Sequence, residues 1–76
     1  MDLTVLNLAE TENGQFKCII KGDVTKITPL VVQAMKYDSD IMYSFIGGVI
    51  LYCREHNLPL YKMAEEFEKF QKNKKR

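Results

Sequence analysis

The feature that most restricts this chain is an uncharged run of thirteen residues, 41–53, reading IMYSFIGGVILYC, with two adjacent glycines near its middle. A helix needs about 20 apolar residues to cross a bilayer core, so a run of this length predicts a buried helix and no membrane span. In a chain of 76 residues that helix has little else to hide behind. Short chains bury a smaller fraction of their surface than long ones, and a central apolar helix therefore sets the demand that the rest of the fold must meet.

The residues before the run read as two strands. Segments carrying Val, Ile, Phe and Thr flank Glu12-Asn13-Gly14-Gln15, and Asn-Gly is the strongest short hairpin signal. A two-residue Asn13-Gly14 loop would set Glu10 opposite Lys17, Ala9 opposite Cys18 and Leu8 opposite Ile19. It would place Leu3, Val5, Ala9, Phe16, Cys18 and Ile20 on the core face, with Leu6, Leu8 and Ile19 on a second, partly apolar face.

Thr28-Pro29 has the form of an N-cap followed by proline at the first helical position, predicting a first helix over residues 29–37. The short run PLVVQAM is also compatible with a strand, which periodicity alone does not exclude. As a helix it would be apolar over more than half its circumference, with Val32 and Met35 among the surplus. Asp38-Ser39-Asp40 predicts the N-cap of a second helix over 40–56, closed by Asn57 as a left-handed C-cap. Leu58-Pro59 then starts a third helix. Its apolar stripe is Leu60, Met63, Ala64, Phe67 and Phe70, and Glu65–Lys69 and Glu68–Lys72 sit at the favourable four-residue spacing.

These elements define the expected fold class: α+β, an N-terminal β-hairpin packed against two or three α-helices (ββααα) with the apolar helix central. Residues 1–71 read as a single small domain, and 72–76 as a basic, disordered tail.

On a helical wheel the second helix has two unlike faces. Ile41, Met42, Phe45, Ile46, Val49, Tyr52 and Cys53 form a bulky core face. Ser44, Gly47, Gly48 and Leu51 form a nearly flat one. Two interior glycines cost about 2 kcal/mol relative to alanine, which close approach of another backbone would offset. The length of the apolar run points to packing within the chain; the alternative is a helix from a second copy, giving a symmetric dimer. A kink or a ligand contact would also account for them.

Chemistry is sparse. Cys53 and His56 are three apart, and Cys18 could join them, but structural zinc takes four ligands and no paired-cysteine motif is present. Cys53 falls on the bulky face, a setting for a structural thiol, not a nucleophile. Asp38 and Asp40 serve a helix start, and Gly47-Gly48 lacks the Lys and Ser or Thr of a phosphate loop. No catalytic residue, metal ligand or cofactor site is expected, and the chain does not read as an enzyme. Two cysteines without a disulfide framework and no signal-peptide pattern at the start suggest a cytoplasmic protein.

The formal net charge of +1 conceals an asymmetry, since Lys72, Lys74, Lys75 and Arg76 hold four of the eleven basic groups. The remainder is net acidic and a poor surface for nucleic acid. The resulting expectation is a small non-catalytic protein-interaction module, a homodimer that acts by binding another protein. Its contacts would be Leu6, Leu8, Ile19, Val32, Met35, Ser44, Gly47, Gly48 and Leu51. The competing expectation is an accessory nucleic-acid binder using the basic tail.

Overall fold

The structure is a computed structural model that describes residues 3–74, with side-chain surroundings through Lys72. Its element order is β1 (Val5–Glu10), β2 (Phe16–Lys21), α1 (Val24–Tyr37), α2 (Ser39–Glu55) and α3 (Leu60–Lys74). The ββααα order and the α+β class expected from the sequence are both present. The segment 29–37, open between helix and strand in the sequence, is helical. The chain divides into two compact units, Met1–Ala34 and Met35–Arg76, with the boundary inside α1.

In the first unit β1 and β2 form a two-stranded antiparallel sheet whose register differs by one residue from the two-residue-loop expectation. Leu8 lies opposite Cys18, Ala9 opposite Lys17 and Glu10 opposite Phe16. The cause is the turn. A two-residue type I′ loop needs positive φ at both central residues, yet Gly14 (φ 81°) has it and Asn13 does not. The loop instead has three residues, Glu12-Asn13-Gly14. Thr11 N–H donates to the Gln15 carbonyl and Gly14 N–H to the Thr11 carbonyl, both at 2.9 Å. The Thr11 hydroxyl oxygen also accepts from Gln15 N–H at 3.0 Å.

A one-residue slip flips one strand's side chains relative to the other's. Leu6, Leu8, Phe16, Cys18 and Ile20 now share a face with Glu10, while Val5, Asn7, Ala9, Lys17, Ile19 and Lys21 share the opposite one. The observed register thus gathers Leu6, Leu8, Phe16 and Ile20 on one side, where the expected one divided them between two.

The first helix begins five residues before the position read from Thr28-Pro29. Asp23 caps it: the Asp23 carbonyl accepts from Lys26 and Ile27 N–H at 3.0 and 2.9 Å, and its carboxylate from the Thr25 hydroxyl. Gly22, at φ 106°, makes the sharp exit from β2, and a Cβ there would meet the Thr4 methyl at 3.4 Å. Pro29 therefore lies inside α1, as its sixth residue, and withholds the N–H that would bond to the Thr25 carbonyl.

In the second unit, Asp38 is the N-cap of α2 (φ −151°, ψ 126°), its carboxylate accepting from Asp40 N–H at 2.7 Å. This is the cap the sequence indicates. The other end is a Schellman motif: Leu58 N–H donates to the Cys53 carbonyl at 2.8 Å, Asn57 N–H to the Arg54 carbonyl at 3.3 Å, and Asn57 stands at φ 51°. The Pro59 carbonyl accepts from Lys62 N–H at 3.0 Å and opens α3.

The ion pairs on α3 are not the expected ones. Lys62 pairs with Glu65 at 4.0 Å and Lys69 with Glu66 at 3.8 Å, three residues apart and well exposed. Solvent screening makes either geometry worth little, so small rotamer differences decide between them. The helix also continues through Lys74, beyond the expected start of the tail, while Lys75 and Arg76 lie outside the described residues.

Candidate functional site

Burial is where the structure departs most from an ordinary small domain. Among the described residues Cys53 alone is buried, at 7% exposure. Extensive contact between elements within either unit is confined to the two strands of the hairpin. The environment of Cys53 follows from the helix end: Leu58, brought back by the Schellman motif, lines with Ile50, Arg54, Pro59 and Leu60 the open depression that also borders Cys53. A hydrophobic contact between the positions that Cys53 and Leu58 occupy is a usual companion of this motif.

Two apolar surfaces remain. On the hairpin, Leu8, Phe16 and Ile20 are more than half exposed and stand on one face with half-buried Leu6. Of the three hairpin residues singled out from the sequence, Leu6 and Leu8 fall on this face and Ile19 on the other, opposite Asn7. Phe16, Cys18 and Ile20, read from the sequence as core, are exposed on the same face: Ile20 opposite Leu6, Cys18 opposite Leu8 and Phe16 opposite Glu10. On α1, Val32 is 42% exposed and Met35 half-buried.

The second surface is on α2. Ile41, Met42 and Phe45 are half-buried and share with Cys53 the bulky face of the helix. The flat face carries Ser44, Gly48 and Leu51, all exposed, and half-buried Gly47. Beyond its chain neighbours and the adjacent backbone of its own helix, a Cβ built on Gly47 or Gly48 would have no atom within 4 Å among the described residues. Within the second unit, no other element approaches these two glycines closely. The Ser44 hydroxyl donates to the Asp40 carbonyl at 2.8 Å, so the one polar side chain among the four is satisfied within its own helix.

The groups considered for chemistry are dispersed or engaged. Cys18 is exposed on the hairpin and Cys53 buried on α2, both as free thiols. His56 stacks on Tyr52 with ring centroids 4.2 Å apart, and its Nδ1–H donates to the Tyr52 carbonyl at 3.0 Å. Among the described residues no three His, Cys, Asp or Glu side chains converge as metal ligands. None of their helices is long and apolar enough to cross a membrane. Of the basic tail, Lys72 is exposed at the end of α3, the side chain of Lys74 lies outside the described surroundings, and Lys75 and Arg76 lie outside the described residues.

The arrangement is that of an α+β hairpin-and-helix protein with apolar faces turned outward. Comparison with protein-family models, with curated proteins and with solved structures finds no match to this chain.

Proposed function

We propose that this protein is a non-catalytic interaction module that self-associates, most simply as a homodimer, and acts by binding another protein. The observation that carries the reading is the contrast between the one buried residue among those described and the many large apolar side chains left open, among them Leu8, Phe16, Ile20, Leu51 and Leu60. Large apolar side chains left exposed in number favour association, because contiguous apolar patches mark interaction sites in soluble proteins. A short chain gains from a partner the burial it cannot supply alone. The hairpin adds unpaired strand edges, a second reason for association.

Light scattering at micromolar concentration tests it. A mass near twice 8.9 kDa is expected. A mass of 8.9 kDa throughout the micromolar range would remove the proposal. The tail reading has its own test: nucleic-acid binding that falls steeply with salt and disappears on deletion of residues 72–76 would favour it instead.

A further inference from the structure

We propose that α2 is the dimer contact and that two copies of it pair antiparallel about Gly47; this rests on the self-association proposed above. The helix runs from Ser39 to Glu55, so Gly47 is its midpoint. Asp40, Ser44, Gly47, Leu51 and Arg54 follow one another at alternating spacings of four and three. At about 100° per residue they occupy a seam roughly 80° wide. That seam is opposite the face bearing buried Cys53 and half-buried Met42 and Phe45.

The seam is its own complement. A two-fold axis through Gly47, perpendicular to the helix, sets Asp40 level with the partner's Arg54, because both lie seven residues, roughly 10 Å, from the axis. Both ends of the contact then carry opposite charges. Among the described residues no ion pair engages Asp40 or Arg54, and both side chains are exposed. Leu51, 56% exposed and four residues from the axis, comes within one residue, about 1.5 Å along the helix, of the partner's Ser44, which is three residues from it: a large side chain beside a small one whose hydroxyl is already satisfied.

At the crossing, Gly47 meets the partner's Gly47, and the space that a Cβ would fill admits the other backbone. Close packing there offsets the helix propensity the glycines forfeit. Antiparallel alignment also opposes the two helix dipoles favourably. A parallel pair would set Asp40 against Asp40 and Arg54 against Arg54 across the axis, so charge selects the antiparallel arrangement.

The test is a charge-exchange cycle read by sedimentation equilibrium, with circular dichroism confirming that each variant remains helical. Asp40→Arg and Arg54→Asp each create like-charged pairs and should raise the dimer Kd about 10-fold or more. The double variant D40R/R54D should return it to within about 3-fold of the original, since opposite charges again meet. Each single variant also loses a favourable interaction with the helix dipole, but the double variant loses both, so recovery cannot come from helix stability.

Gly47→Leu should dissociate the dimer while increasing helicity. A dimer indifferent to the single exchanges and to Gly47→Leu would overturn this contact and leave self-association standing. Single exchanges that weaken a dimer the double variant does not recover would overturn the antiparallel pairing. A wild-type chain that is monomeric would remove both proposals.

Discussion

Single residues set the limits of each element here, and Pro29 shows how a local signal can mislead. Proline is at home in the first turn of a helix, and Thr28-Pro29 reads that way. Asp23 nevertheless supplies the cap, with Gly22 turning the chain into it, and Pro29 falls one turn deeper. It therefore costs α1 a hydrogen bond. Pro29→Ala is expected to raise stability by about 1–3 kcal/mol in urea denaturation. A neutral or destabilising result would mean that Pro29 sits where a proline belongs, at the start of the helix. Asp38 and Asn57, by contrast, act as their residue types indicate, because a carboxylate at an N-cap and an asparagine at positive φ need nothing from the rest of the fold.

At the scale of the element, the hairpin register is the informative case. Asn-Gly suggested a two-residue loop, but the pattern of apolar residues held the contrary evidence. Only the slipped register puts Leu6, Leu8, Phe16 and Ile20 on one side. Counting bulky residues per face favours it, but such a count does not weigh that preference against the turn. The register can be checked chemically. Cross-strand partners have Cα atoms about 4.5–5.5 Å apart, within disulfide range. Leu8→Cys is expected to oxidise readily with Cys18, and Ala9→Cys is not; the reverse result would restore the two-residue loop. The α2 helix is the opposite case: its span, both caps and two unlike faces were all legible from local pattern. What local pattern could not show is that the flat face stays open, since that depends on what the chain folds against it.

For the molecule as a whole, the argument concerns the water left in contact with apolar side chains. A monomer with one buried residue among those described has little of the usual source of stability. If association supplies the missing burial, folding and dimerisation are linked by mass action. The thermal midpoint should rise by several degrees between 1 and 100 μM chain, orders of magnitude chosen to span a micromolar Kd. A concentration-independent midpoint across that range would contradict the linkage. The acidic excess over residues 1–71 and the few basic residues outside the tail fit a protein partner better than a phosphate backbone.

The sequence by itself determined the order of the elements, their kinds except over residues 29–37, and the two faces of α2, because helix caps, strand alternation and helical spacing depend on residues close along the chain. Only the tertiary structure decided the hairpin register, the true start of α1 and the openness of Gly47 and Gly48. Each of those turns on a competition between a local preference and the placement of groups distant in sequence. A local signal can state the preference; the outcome belongs to the folded chain.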